Sequence, residues 1–287
     1  MLKAFALTSL LAIAVTTAVN ADRGWSDPQE PFTIYGNTHY VGTAGIAAVL
    51  ITSPEGHVLI DGATEQGAKI IASNIRALGY SIEEVKYILS SHSHVDHAGG
   101  IAALQKWSSA IVLGGAGNVE ALRTGVSPKH DPQFGGLPNF PGSANVRAIA
   151  DGETVPLGSL VVTAHSTPGH TPGGMSWTWQ SCEDNDCKTV VFADSISAVS
   201  AKTYRFSEHP DVVAMLQQSF AKVEKLPCDI LIAAHPQLND LWGRQQRANT
   251  EGKMAYIDAG ACRLLAEKAR KGLAERLNAE KQPISAQ

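Results

Sequence analysis

A single-domain α/β fold is what this sequence predicts, on three observations. Short apolar runs rich in Val and Ile alternate with amphipathic helical patterns along most of the chain. Hydrophobic residues make up 44% of the chain and charged residues 17%, a balance that supplies a sizeable core and excludes disordered and fibrous classes. The 287 residues also fall within the range where one hydrophobic core still suffices, about 250 to 300 residues.

The first 21 residues stand apart. Lys3 precedes an uncharged run from Ala4 to Ala21 that closes on the small-residue pattern Val19-Asn20-Ala21, the signature of a cleaved signal peptide. Its strongly apolar part ends near Val15, short of the roughly 20 residues a spanning helix needs, so no stable membrane association is expected after cleavage. The mature domain is expected to run over residues 22–287, with a loose tail after about residue 282. Loss of Lys3 takes the formal charge from −4 to −5. That mild acidity, with no Lys/Arg cluster among aromatics, excludes a nucleic-acid partner and favours a small-molecule substrate.

Within the domain, residues 46–52 and 57–61 read as buried strands, followed by an amphipathic helix over 65–78. A strand at 87–90, a helix at 100–107, a strand at 110–113 and a helix at 119–123 repeat the alternation. Residues 127–143 carry four prolines and three glycines without periodicity, a length typical of functional loops. Strands follow at 160–165, 175–179 and 189–193, the last two flanking the polar segment 181–188 as a hairpin. A helix at 211–224, a strand at 230–233 and a helix at 244–271 complete the pattern.

Four cysteines in an apparently exported chain favour two disulfides, for which three connectivities exist. The preferred pairing is Cys182 with Cys187, which would staple the hairpin tip, and Cys228 with Cys262. No tight Cys-x-x-Cys pair suggests a zinc site instead.

The chemistry concentrates in Ser91-His92-Ser93-His94-Val95-Asp96-His97-Ala98-Gly99-Gly100, between a strand and a helix. Four candidate metal ligands fall within six residues, and imidazole with carboxylate makes a mixed site of the kind zinc accepts. Alternate residues His92 and His94 can point one way from an extended loop while Asp96 and His97 turn elsewhere, so one segment can serve two metals. A lone histidine is usually a core or surface residue, as His39, His57, His130, His165 and His209 are read here. The cluster has company: His170 in Thr167-Pro168-Gly169-His170-Thr171-Pro172-Gly173 and His235 in Ala233-Ala234-His235-Pro236 both follow strands, at the strand ends where α/β sites gather.

The pattern His-x-His-x-Asp-His with two later strand-end histidines resembles the metallo-β-lactamase superfamily, over nearly the whole mature chain. The resemblance narrows to subclass B3. Where subclass B1 carries a zinc-binding cysteine, this chain reads Phe192-Ala193-Asp194-Ser195-Ile196-Ser197, and Pro31-Phe32-Thr33-Ile34-Tyr35-Gly36-Asn37, Leu59-Ile60-Asp61-Gly62 and Leu226-Pro227-Cys228-Asp229 also match, with Cys262 as the disulfide partner of Cys228. The resemblance implies a four-layer αββα sandwich and two Zn2+ ions, one held by His92, His94 and His170 and the other by Asp96, His97 and His235. It implies a periplasmic enzyme that hydrolyses the amide of penicillins, cephalosporins and carbapenems by attack of a zinc-bridging hydroxide, conferring antibiotic resistance; a monomer is the expected state. Asp96 is then also the residue that relays the proton, and Ser195 and Ser197 receive the substrate carboxylate. From the length of its loop, Gln133 is expected to line the cleft mouth. Asp61 reads either as a turn residue or as a support for a zinc ligand. The rival on the same fold is a glyoxalase-II-like thioesterase or lactonase, in which Asp194 would become a ligand.

Overall fold

The computed structural model describes residues 24–281, so the expected signal peptide and the tail from residue 282 lie outside the described residues. The first half of the domain builds one sheet from β1 (Phe32–Tyr35), β2 (Thr38–Tyr40), β3 (Val49–Ser53), β4 (Gly56–Ile60), β5 (Val85–Leu89), β6 (Ile111–Gly115) and β7 (Val146–Ile149), which lie side by side in chain order. The pairings are antiparallel from β1 to β4 and parallel from β4 to β7. Between these strands come α1 (Gly67–Ala77), the single turn α2 (Val95–Ala98), α3 (Ile101–Ser108) and α4 (Val119–Thr124).

The second half builds the facing sheet from β8 (Thr154–Leu157), β9 (Leu160–Ser166), β10 (Met175–Glu183), β11 (Asp186–Ala193) and β12 (Ile230–Ala233), ordered β12-β11-β10-β9-β8. Here α5 (Pro210–Lys225), α6 (Leu241–Glu251) and α7 (Ala261–Glu280) follow the last long strands.

Side-chain alternation sorts the strands into four layers. Val49 and Ile51 of β3, Val58 and Ile60 of β4, and Val190 and Phe192 of β11 enter one core between the sheets, with Trp177 and Trp179. Their neighbours Leu50 and Leu59 face the other way, onto Ile71 and Ile75 of α1 and Leu104 of α3. Val191 and Leu231 likewise turn outward, onto Leu216 and Phe220 of α5 and Leu265 of α7. Three cores between four layers make an αββα sandwich in a single domain, the fold the resemblance implies. Each fully buried large side chain contributes on the order of 2 kcal/mol to holding those layers together.

The structure departs from the sequence reading at short elements. The helix expected over 244–271 is two, because α6 stops at Gly252, whose φ of 59° no helix accommodates, and a 3₁₀ turn leads to Ile257, which bridges to Ile230 before α7 starts. Strands β1, β2, β7 and β8 have three or four residues, too few to show a period, and β8 holds Pro156, tolerated because β8 lies at a sheet edge. The hairpin strands also run further than the polarity suggests, with Cys182 directly opposite Cys187. The structure joins Cys182 to Cys187 and Cys228 to Cys262. The second bridge closes a separation of 34 residues, which loop-closure entropy converts to about 4 kcal/mol. No described helix is long and apolar enough to cross a membrane.

Candidate metal centre

All the candidate ligands leave strands at one end of the sandwich, where the parallel strands finish. β5 runs into the extended segment Ser90 to His94, which opens α2 with Asp96 and His97 on its single turn. That turn lies tight on the end of β4. Gly62 donates to the His97 carbonyl at 2.8 Å and Gly100 to the Ala63 carbonyl at 3.0 Å, and a side chain on either glycine would strike the backbone opposite. On the other sheet, His170 follows β9, Ser195 and Ser197 follow β11, and His235 follows β12. Gly169, before His170, has a φ of 128°, and a β-carbon there would collide with Leu216, so only glycine fits.

Two trios of donor atoms meet at this edge. His92, His94 and His170 offer ring nitrogens within 4.8 Å of one another, the rings standing nearly perpendicular at centroid distances of 4.9 to 5.0 Å. In the second trio, His97 Nε2 lies 3.2 Å from His235 Nε2 and 3.2 Å from Asp96 Oδ2, which is 3.5 Å from His235 Nε2. His92 also approaches Asp96 and His97, so the two trios adjoin.

Four of these rings are oriented through the nitrogen that points away from the trios. His92 Nδ1 donates to Asp194 Oδ1 at 2.8 Å, and His94 Nε2 to Asp131 at 3.1 and 3.2 Å. His97 Nδ1 donates to Asp61 Oδ2 at 3.2 Å, and His170 Nδ1 to the Ser197 carbonyl at 3.0 Å. A neutral imidazole has one N–H, so engaging it outward leaves the lone pair of the other nitrogen facing inward, the form that ligates a metal; His97, which Asp96 and Asp61 hold protonated without metal, would give up its inner proton on ligation. Asp61 is itself fixed by the Ser91 amide and hydroxyl, both at 2.6 Å.

The electrostatics of the donor set suit cations. Burial, reinforced by neighbouring histidines, pushes His92 well below the ordinary imidazole value, and burial pushes His170 to about 3 and His235 to about 4. Burial alone would also lower His97, but Asp96 and Asp61 outweigh it and raise that ring to about 10. Burial would raise Asp96, yet His97 and His235 hold it below the usual carboxylate range. The second trio therefore pairs fixed negative charge with a demand for positive charge, and the first offers neutral nitrogens.

The remaining site residues differ in what they face. A cleft of about 290 Å³ opens onto both trios, with Trp25, Leu137 and Val199 on its apolar rim. Gln133, Ser195 and Ser197 also line it. The Gln133 amide nitrogen lies 3.3 Å from both His94 Nδ1 and His170 Nε2, across the mouth of the first trio. The Ser195 hydroxyl is buried without a partner among the described residues, whereas the Ser197 hydroxyl reaches His170 Nδ1 at 3.3 Å. Asp194, the candidate ligand of the rival reading, turns to the outer nitrogen of His92. Sequence reasoning missed Asp131 altogether: it lies 37 residues from His94, and only the unusual length of its loop marks the region.

Comparison with known proteins agrees with this geometry. The profile of the metallo-beta-lactamase superfamily matches residues 41–235. The metallo-beta-lactamase SMB-1, solved with 2-mercaptoethanesulfonate, is similar at a TM-score of 0.89 and 67% identity, over 90% of this chain and 100% of that one. MEM-A1, a subclass B3 metallo-beta-lactamase isolated from a soil metagenome library, gives 0.88 and 51% over 90% of this chain and 98% of its own. MIM-1 from Novosphingobium pentaromativorans gives 0.86 and 41% over 92% and 96%. The hydroxyacylglutathione hydrolase of Anaeromyxobacter dehalogenans is 32% identical over 95 residues, 33% of this chain and 29% of that enzyme. Across the first three curated relatives the match spans 29% to 61% of their length, under two thirds in each. This chain belongs to the metallo-beta-lactamase superfamily and, within it, to subclass B3.

Proposed function

We propose that the chain is a dizinc β-lactamase that hydrolyses the amide bond of penicillins, cephalosporins and carbapenems and so confers antibiotic resistance. The observation that carries this reading is the pair of adjoining trios at the floor of one cleft. Three protein ligands per ion leave a position open on each, which suits a catalytic site rather than a closed structural one. His92, His94 and His170 would hold the first zinc and Asp96, His97 and His235 the second.

Zinc, when bound, supplies a water of lowered pKa and a Lewis acid for the lactam carbonyl. The protein's own groups do the rest. Asp194, Asp131, Asp61 and the Ser197 carbonyl lock the ligand rings, so the donor geometry is prepared before substrate arrives. Asp96, buried and kept ionised, is placed to accept the proton of the attacking water and pass it on. Ser195, Ser197 and the Gln133 side-chain amide are among the hydrogen-bonding groups of the cleft wall and receive the carboxylate that β-lactams carry. The rim of Trp25, Leu137 and Val199 covers the apolar face of the substrate and keeps water out.

The thioesterase reading needs Asp194 at a metal, and its engagement with His92 Nδ1 weighs against that role. We place the mature enzyme in the periplasm as a monomer after removal of residues 1–21. The deciding measurement is hydrolysis of a carbapenem and a cephalosporin by the purified mature protein, before and after chelation and with zinc restored. We expect turnover that chelation abolishes and two equivalents of zinc recover, with Asp96→Ala inactive but folded. Two bound zinc ions without lactam turnover would overturn the reading in favour of thioester or lactone substrates.

A further inference from the structure

The turn that carries His170 holds Gly169, Gly173 and Gly174 among residues 167–174, so its own backbone does little to fix it. A residue of the first sheet does that instead. Asn118 ends the 3₁₀ turn Ala116–Asn118 that follows β6, and it is 1% exposed. The Gly173 amide donates to Asn118 Oδ1 at 3.0 Å, which settles the end of the side chain that is oxygen, and Asn118 Nδ2 donates to the Thr171 hydroxyl at 2.9 Å. Thr171 and Gly173 are themselves buried. One side chain thus grips the turn at two points, directly after His170.

Three features mark this contact as built rather than incidental. Asn118 sits at the N-cap of α4, where asparagine ordinarily accepts from the first helical amides, yet its side chain makes no such bond and reaches across to the turn. The two backbones meet without room for side chains: a β-carbon on Gly115 would strike the Gly173 carbonyl, one on Gly117 the Pro172 carbonyl, and one on Gly173 the Asn118 amide nitrogen. Finally, β6 lies beside β5, the strand that runs into His92 and His94, and the Ser90 amide donates to the Leu113 carbonyl at 2.8 Å. Asn118 therefore stands on the sheet that supplies two members of the first trio and holds the turn that supplies the third. The Met175 amide, donating to the Ser91 carbonyl at 2.8 Å, ties the far end of the turn to the same segment. By contrast, the Ser219 hydroxyl donating to the Pro168 carbonyl at 2.7 Å and His170 Nδ1 donating to the Ser197 carbonyl fix the turn only to its own half of the chain.

We propose that Asn118 is a positioning residue for the first metal, its side-chain amide setting the spacing between His170 and the pair His92 and His94. Such a site needs its ligands held within about 0.5 Å of the working geometry, closer than a glycine-rich turn holds itself. Removal of the amide leaves the Gly173 N–H and the Thr171 hydroxyl unpaired in a buried place, and the turn must shift to satisfy them. This role rests on the dizinc reading in that zinc occupies the first trio, and it is independent of the substrate that the centre turns over.

The test is the zinc affinity of each trio measured separately, by competition with a chelator of known affinity. His235→Ala leaves the first trio complete and breaks the second, and His170→Ala does the reverse. In the His235→Ala background, Asn118→Leu, which keeps the branched shape and removes the amide, is expected to weaken zinc about tenfold. Thr171→Val is expected to weaken it about threefold, and Thr171→Ser, which keeps the hydroxyl, to restore the parent affinity. In the His170→Ala background the same changes are expected to leave the second trio unaltered, a result that a merely loosened fold would not give. The visible spectrum of cobalt bound at the first trio should change in Asn118→Leu and match the parent in Thr171→Ser. If Asn118→Leu does not fold, the contrast between Thr171→Val and Thr171→Ser decides alone. Unaltered affinity at the first trio, or an equal loss at both trios, would overturn the proposal. Intact protein that binds no zinc would overturn the dizinc reading and this role with it, so the two failures are told apart without a lactam assay.

Discussion

Asp131 shows what a single residue contributes when it touches neither metal nor substrate. Its carboxylate holds His94 Nε2 and accepts the Gln133 backbone N–H at 2.7 Å, tying the orientation of a candidate ligand to the residue at the cleft mouth. Asp131→Asn keeps the shape and removes the charge, so we expect zinc affinity at the first trio to fall about 10- to 100-fold, read by competition with a chelator of known affinity. Unchanged affinity would remove Asp131 from the metal centre. The candidate ligands were legible because four of them crowd into six residues and the other two follow predicted strands. Their supports were legible only in part: Asp61, 36 residues from His97, stood open between a turn residue and a support, while Asp131, 37 residues from His94, left no local pattern. Only the folded backbone brings such carboxylates to the outer nitrogens.

At the level of elements, the end of α7 grips the loop that forms one side of the cleft. The Glu280 carboxylate accepts from the Phe206 and Ser207 amides at 3.0 and 2.8 Å and from Arg276 Nε at 2.6 Å. Arg276 reaches on to the Ser200 hydroxyl and the Tyr204 carbonyl, both at 2.9 Å, and the Ala201 amide donates to the Pro132 carbonyl at 2.9 Å. Burial would raise the Glu280 pKa, but these donors outweigh it and bring it to about 2. Glu280→Gln weakens the grip on a loop that carries Val199, so we expect KM to rise about fivefold with kcat nearly unchanged, together with faster tryptic cleavage at Lys202. Equal KM and equal protease resistance would show the contact to be idle. The existence and type of the long elements were readable because α1, α5 and the inner strands run long enough to show their periods. The break between α6 and α7 and the four short strands depend on contacts across the sheet and could not be read locally.

Across the whole molecule, stability should depend on acid through a histidine far from the metal centre. Burial, with His57 and Lys253 nearby, lowers His39 to about 4, and its ring packs against Tyr80. The unfolded chain takes up that proton near pH 6.5 and the folded chain only near pH 4, so the contribution is complete above about pH 6.5 and is lost as the pH falls toward 4. Metal-free protein should therefore lose up to about 2 kcal/mol from this group between about pH 7.5 and pH 5, and His39→Gln should show a shallower fall in urea midpoint. An identical slope in both would refute the assignment. The two sheets are built from consecutive stretches of chain, β1 to β7 before residue 150 and β8 to β12 after it, and each trio draws two candidate ligands from the first stretch and one from the second. Cut within residues 150–153, the protein would become two polypeptides, neither able to complete a trio, and zinc would act as a chemical dimeriser that drives their reassociation.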